Sequence, residues 1–367
     1  MNIIYVYYTS FETDAAHANQ LIHTCNALAG RGHSVTVACA GNIEEYATAH
    51  SIELRFDHYR IPISLPNEAA DRLVYYLFAT ALASGADLLF TRDISYLRVL
   101  CSIPSFFRPR ILYEAHKAYH VLGELTQTEE CRRLACVDLM ISISQGVADD
   151  LSVCERSVDA VIPDAADISQ IPSESKQTLR NELGLNQDET LLIYSGSISE
   201  WKNDLKGTIK AVGRLSGYRS GVRLLIIGGD DEKIADLREF CDSLGIDKDV
   251  VQFVGYIPQH CVFRYLKAAD IGLVPLKHTD AIASRYTSPL KLYEYLVSDL
   301  QVIAADVPAI TTAFSDENHI QLYSPGSVDS MLDAMQEILQ QDHSEIEITE
   351  FSYSARARRI ESVIDTQ

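Results

Sequence analysis

TLLIYSGSISEWKNDLKGTIKAVGRLSGYRSGVRLLIIGG, residues 190–229, decides the fold. It opens on an apolar, β-branched run that breaks at Gly196 and closes on a second run that breaks at Gly228 and Gly229. Between them lies a polar loop with Lys202 just before a helical segment, the pattern of a parallel strand–helix–strand unit.

Working outward, the unit repeats. VVQFVG (250–255), DIGLVPL (270–276) and QVIAAD (301–306) continue this series of strands. An earlier series holds NIIYVYY (2–8), SVTVACA (34–40), ADLLFTR (86–92), RILYEA (110–115) and VDLMISIS (137–144). HANQLIHTCNALAGRGH (17–33) is one intervening helix, with Leu21, Ile22, Cys25 and Leu28 at helical spacing and glycines at its end. The Pro-, Ser- and Asp-containing VIPDAADISQIPSES (161–175) reads as a linker, and ITEFSYSARARRIESVID (348–365) as a terminal amphipathic helix. The expectation is an α/β chain of two Rossmann-like, doubly wound domains, residues 1–167 and 168–345, with residues 346–367 packing back on the first. Ligands of such sheets bind at the carboxyl ends of the strands.

A chain of 367 residues with 47% hydrophobic content can build two cores. Its formal net charge of −20 argues against a nucleic-acid partner, which needs pooled Lys and Arg. No charged segment precedes the first apolar run, so no signal peptide is read. LVYYLFATALASGA (73–86) falls short of the ~20 residues a membrane span needs, so a soluble protein is expected. The eight cysteines form no Cys-x-x-Cys pair, which suggests neither zinc nor a disulfide framework and predicts reduced thiols in a cytoplasm.

Four segments, one helix start and three strand ends, carry candidate chemistry. In SPLKLYEYL (288–296), Ser288 reads as the helix N-cap and Pro289 as the first helical residue, which turns Lys291 and Glu294 onto one face. A lysine at a helix start suits a diphosphate, and a carboxylate one turn on suits a ribose diol. The competing reading is an i, i+3 ion pair on a solvated face. In YSGSISEWK (194–202), Gly196 permits close backbone approach and Lys202 reaches an anion, unless the lysine is merely solvated. In VQFVGYIPQH (251–260), Gly255 makes room and Tyr256 or Ile257 flanks a base, or the segment is simply a tight turn. In YEAHKAYH (113–120), His116 with His120 and Glu114 has the composition of a metal site, although a segment leaving a strand need not bring both imidazoles to one face.

These segments, with ANQLIHTCNALAGRGHSVTV (18–37), LLFTRD (88–93), ILYEAH (111–116), ISISQGVADDL (141–151) and VIPDAAD (161–167), resemble in order the retaining nucleotide-sugar glycosyltransferases of family 4. The resemblance implies a GT-B fold, two Rossmann-like domains facing a central cleft, and no metal or other cofactor. It implies that Glu294 binds the ribose, that Lys202 neutralises the diphosphate, and that Lys291 of a Pro-x-Lys-x-x-Glu variant sits beside the phosphates. Gly196, Ser197, Gly255, Tyr256 and Ser288 complete the donor-binding set, and His116 matches the histidine that contacts donor sugar and acceptor side. Ser10, His17 and Asn19 are acceptor-side candidates.

Four positions depart from that pattern. Tyr286 stands in place of the first Glu of the motif, Ser197 in place of an Arg, and Asp299 and Gln301 in place of Gly and Pro. Arg285 is expected to restore the missing cation, and Asp280 to replace the carboxylate. The implied function is transfer from a UDP-sugar, or GDP-mannose, to a glycan, lipid-linked or small-molecule acceptor in bacterial surface-polysaccharide assembly. Two alternatives are a nucleotide-sugar-binding protein of low activity and a nucleotide-sugar epimerase. Arg98, Arg108, Arg110, Lys117, Arg132 and Arg133 suggest peripheral contact with the inner face of a membrane.

Overall fold

The computed structural model describes residues 1–9, 11, 16–61, 66–314, 318–341 and 345–366. Two compact units divide the chain: Met1–Asp164 together with Tyr353–Gln367, and Ala165–Ser352.

The first unit holds a parallel sheet of β1 (Asn2–Val6), β2 (Ser34–Cys39), β3 (Asp57–Arg60), β4 (Leu88–Thr91), β5 (Arg110–Ala115), β6 (Leu139–Ser142) and β7 (Ala160–Val161). Their order is β3-β2-β1-β4-β5-β6-β7. Ile3 is in register with both Val35 and Leu88, so the direction of winding reverses between β1 and β4. All four residues of β4 and of β6 are buried, which is why these strands read as unbroken apolar runs.

The second unit repeats the design with β8 (Thr190–Ser195), β9 (Val222–Ile227), β10 (Val251–Gly255), β11 (Ile271–Val274), β12 (Gln301–Ala305) and β13 (Ile320–Tyr323). The order β10-β9-β8-β11-β12-β13 reverses between β8 and β11. In each sheet that reversal opens a crevice at the carboxyl ends of the two central strands. Those ends lead into Tyr7 and Arg92 in the first unit and into Gly196 in the second.

Helix Tyr353–Asp365 packs on helix Ala16–Gly30 and belongs to the first unit. Arg356, 2% exposed, fixes it there. Its guanidinium donates to Glu114 Oε2 at 2.5 Å, Thr24 Oγ1 at 2.9 Å and the Pro163 carbonyl at 2.9 Å.

The expectation of reduced cysteines fails in the first unit. Cys101 pairs with Cys136 and Cys131 with Cys154, joining the segments around helices Ile94–Leu100, Gln127–Leu134 and Gln145–Leu151. Tertiary packing brings together cysteines 35 and 23 residues apart, which no local motif announces. Cys25, Cys39 and Cys241 are buried free thiols. Among the described residues no helix is long and apolar enough to cross a membrane.

Candidate functional site

In the second unit the site is assembled from glycines, a tyrosine and one short helix. Helix Leu290–Val297 buries Leu292, Tyr295 and Leu296, which leaves Lys291 and Glu294 on the other side. Tyr295 seats it: its hydroxyl accepts from the Ser195 N–H at 2.8 Å, and its ring fills the space that a side chain on Gly272 of β11 would need. Any larger residue at Gly272 would displace the helix.

The helix begins one residue later than the sequence suggests. Pro289 is its N-cap, and Ser288 is a buried residue whose hydroxyl donates to Tyr293 Oη at 3.4 Å. The far end is closed by the left-handed Asp299, φ +62°, with Asp299 N–H on the Leu296 carbonyl and Leu300 N–H on that of Tyr295. Aspartate is among the few residues other than glycine that tolerate this conformation, so the departure at this position keeps the backbone intact.

The lysines converge on the end of β8. Gly196 has φ +138°, and a Cβ there would lie 3.1 Å from Lys291 Cε, so the missing side chain is the space the lysine occupies. Lys291 Nζ donates to Asn203 Oδ1 at 3.4 Å and lies 4.7 Å from the centre of the Tyr194 ring. Lys202 Nζ donates to Thr287 Oγ1 at 3.1 Å. Burial first, and the Lys202 charge second, bring the Lys291 amine down to about 7 against the opposing pull of Glu294. Two like charges held together at a strand end form a site that an anion relieves.

Glu294 makes no ion pair with Lys291 among the described residues, so the surface-pair reading of these two charges is wrong. Its Oε1 accepts from Gln259 Nε2 at 2.6 Å, and burial raises its carboxyl above the ordinary range. Gln259 opens the helix that follows β10, which makes it a neighbour of Gly255 and the exposed Tyr256. A glutamine offers no periodic signal, and sequence reasoning missed it along with Asn203 and Thr287. Gly228 was missed too: it has φ +106°, and a side chain there would collide with the Gly196 carbonyl. Its N–H donates to the Gly255 carbonyl at 2.7 Å, so bare backbone from three strand ends lies side by side.

Other expected residues are placed differently. Ser197 contributes its carbonyl, which accepts from Tyr194 Oη at 2.7 Å and Asn203 Nδ2 at 3.4 Å. Tyr286 is a core residue, 1% exposed, in a π-helical turn Ile282–Tyr286. Arg285 belongs to the same turn, its guanidinium 6.0 Å from the Tyr286 ring centre. Asp280 Oδ1 accepts from the Ala283 N–H at 2.9 Å, which is a structural use of its carboxylate.

In the first unit His116 follows β5 with both ring nitrogens engaged. Arg92 Nη2 donates to Nδ1 at 2.9 Å, so the proton is on Nε2, which donates to Glu114 Oε1 at 2.5 Å. Burial and the Arg92 charge push the imidazole down to about 4, against Glu114, so it is neutral at pH 7. His120 turns instead to Glu130, whose Oε2 accepts from its Nδ1 at 2.6 Å. The metal trio of Glu114, His116 and His120 is therefore not assembled; among the described residues no three His, Cys, Asp or Glu side chains are grouped to hold an ion. His17 Nε2 is 3.2 Å from Thr9 Oγ1, and Asn19 Oδ1 accepts from Tyr46 at 3.0 Å. Ser10 lies outside the described residues.

Two parallel-sheet Rossmann-like domains in tandem define the GT-B class of fold. Residues 189–341 match the family model described as glycosyl transferases group 1, a match confined to the second unit. TuaC of Bacillus subtilis (strain 168), whose name is that of a teichuronic acid biosynthesis glycosyltransferase, is 22% identical over 217 residues. That alignment covers 59% of this chain, and the chain spans about half the length of this curated relative, 49%. Among solved structures, Anabaena Alr3699/HepE in complex with UDP has a TM-score of 0.74 at 15% identity, with all of both chains covered. The sucrose-phosphate synthase of Thermosynechococcus elongatus has a TM-score of 0.73 at 17% identity, covering 100% of this chain and 99% of that one. At such identities the likeness is one of fold.

Proposed function

We propose that the protein is a retaining, metal-independent glycosyltransferase of family 4 type. It moves a sugar from a nucleoside diphosphate sugar, a UDP-sugar in first place, to a hydroxyl of a glycan, lipid-linked glycan or small molecule in bacterial surface-polysaccharide biosynthesis. The observation that carries this reading is the Lys202–Lys291 pair at the end of β8, with the Gln259-bonded Glu294 one turn beyond. Cleavage of an anomeric bond moves negative charge onto the diphosphate. Fixed ammonium groups stabilise that charge more in the transition state than in the ground state. A deprotonated Glu294 accepts both hydrogens of the ribose diol. The UDP in the HepE structure motivates the choice of donor, and the family match over residues 189–341 supports glycosyl transfer.

The test is donor hydrolysis and transfer with UDP-glucose, UDP-galactose and GDP-mannose, with and without EDTA, and NMR of the anomeric configuration of the product. Lys202→Ala and Lys291→Ala are expected to lower turnover ~100-fold or more. An inverted product, loss of activity in EDTA, or full activity in both variants would sink the corresponding part of the proposal. The second reading, a nucleotide-sugar-binding protein of low turnover, is favoured by the burial of Tyr286 where the resemblance puts a sugar-facing carboxylate. Tight UDP binding without hydrolysis or transfer selects it.

Peripheral membrane contact belongs to the same proposal in narrower form. Arg108 is engaged by Asp138 and the Cys136 carbonyl, Arg110 by the Ile364 carbonyl and Lys117 by Glu124. Arg98 and Arg132 are exposed, and Phe106 and Phe107 are 77% and 70% exposed. Co-sedimentation with anionic vesicles, lost in Phe106→Ser/Phe107→Ser, checks this contact.

A further inference from the structure

The crevice of the first sheet opens between β1 and β4, and the residue leaving β4 is Arg92. Its Nη1 donates to Gln20 Oε1 at 2.5 Å and its Nη2 to His116 Nδ1, and its guanidinium carbon lies 5.3 Å from the Tyr7 ring centre. Among the described residues no carboxylate is within ion-pair distance of it. Asp164 feels the Arg92 charge without forming an ion pair with it, and the other carboxylates nearby are engaged with further partners. Glu114 accepts from Gln20 and His116 on one oxygen and from Arg356 on the other. Asp93 caps its helix and takes the Tyr76 hydroxyl at 2.6 Å, and Asp71 takes that of Tyr8 at 2.7 Å.

A guanidinium carries five N–H donors, and the two contacts above use one on each terminal nitrogen. The imidazoles beside it are neutral. His116 and His17 both lose basicity through burial and then the Arg92 charge, so neither imidazole competes with Arg92 as the cation at neutral pH. Tyr119, raised by burial and then by Asp93 and Glu124 more than by Tyr7, also feels Arg92, and Lys117 Nζ lies 4.5 Å from its ring centre. Aromatic faces with a half-buried guanidinium suit a sugar ring that carries a negative group.

We propose that Arg92 is a specificity-determining residue for the acceptor, binding a carboxylate or phosphate carried by the acceptor sugar through the N–H groups that Gln20 and His116 leave. The proposal rests on the glycosyltransferase reading only for the word acceptor; the anion site stands on its own geometry. Gln20 and Glu114 are positioning residues, since they hold Arg92 and His116 rather than the ligand.

The experiment follows the His116 ring by NMR in the full chain, made with isotope-labelled histidine and assigned with His116→Gln. The probes are methyl β-D-glucuronide, inorganic pyrophosphate and the uncharged methyl β-D-glucoside. His116 reports because its Nδ1 accepts from the guanidinium that is to be engaged. A saturable shift with the glucuronide, the pyrophosphate or both, and none with the glucoside, is the expected result, and whichever anion acts separates a uronic acid from a phosphate source. Arg92→Gln is expected to weaken the effective anion ~10- to 100-fold, and Arg92→Lys to restore part of that loss. No shift with either anion, or an equal shift with the glucoside, overturns the proposal, and the wild-type titration decides this even where Arg92→Gln does not fold. Pyrophosphate is also titrated into Lys202→Ala/Lys291→Ala, where the His116 shift is expected to persist and its loss overturns the phosphate arm, and UDP-glucose binding in the wild-type sample tests the donor reading separately.

Discussion

Lys291 supplies the prediction with the most physical content. Its amine is held at about 7, so at pH 8 roughly nine lysines in ten are neutral in the free protein, and at pH 6 roughly one in ten. A diphosphate needs the ammonium form. Binding therefore draws in ~0.9 proton at pH 8 and ~0.1 at pH 6. The affinity cost of that uptake is about fivefold between pH 7 and 8 and about ninefold more by pH 9. The assay is calorimetry with UDP-glucose, whose phosphates are both esterified and do not titrate in this range, in two buffers of different ionisation enthalpy. The slope of apparent enthalpy against buffer enthalpy is the number of protons taken up. Lys291→Met, which keeps the length of the side chain, is expected to remove the uptake. An apparent enthalpy independent of buffer at pH 8, with binding intact, would refute the reasoning. Stability has a matching sign. Between pH 7 and 10.5 the unfolded chain holds a proton that the folded chain lacks, so this lysine's contribution makes the protein more stable as pH rises through that window. Lys291→Met should accordingly stabilise the free protein at pH 6, by roughly 2 to 4 kcal/mol.

Three further outcomes are expected. Glu294→Gln keeps the Gln259 neighbour but loses the acceptor-only carboxylate, and should weaken UDP ~10- to 100-fold by calorimetry while leaving inorganic pyrophosphate binding within about twofold. Arg356→Met leaves Glu114 as a buried charge short of its main partner and should cost about 3 to 5 kcal/mol in urea unfolding; the double variant Arg356→Met/Glu114→Gln should recover a large part of it. Reduction of the two disulfides should lower the stability of the first unit by ~2 to 4 kcal/mol each, seen as an earlier first transition on heating in dithiothreitol, and Cys101→Ser/Cys136→Ser should remove about half of that difference.

The central strands were legible because parallel sheets bury both faces, and ILYEA or LLIYS announces that directly. The strands that went unread, β3, β7 and β13, lie toward the sheet edges and are largely half-exposed, so DHYR, AV and IQLY carry no apolar run. Lys202, Lys291 and Glu294 stood out because charge on an otherwise core-facing helix or at a strand end is unusual. Their neutral partners Gln259, Asn203 and Thr287 gave no such contrast, and they are neighbours only through contacts that span 35, 88 and 85 residues. Ser288 misled for a local reason: the Ser-Pro pair permits either residue to start the helix, and burial of Ser288 against Tyr293 settles it. The disulfides were invisible because three helices, not a motif, bring the cysteines together.

The Arg356–Glu114 contact joins residues 242 positions apart within one unit, while Ala165–Ser352 forms the other without interruption. Synthesis runs from the amino end, so the second unit has all its residues before the first does. During translation Glu114 waits, with Gln20 and His116 already made, for a guanidinium that arrives 242 residues later. The amino-terminal unit is thus completed last, and damage to the final helix is to be sought as misassembly at the beginning of the chain.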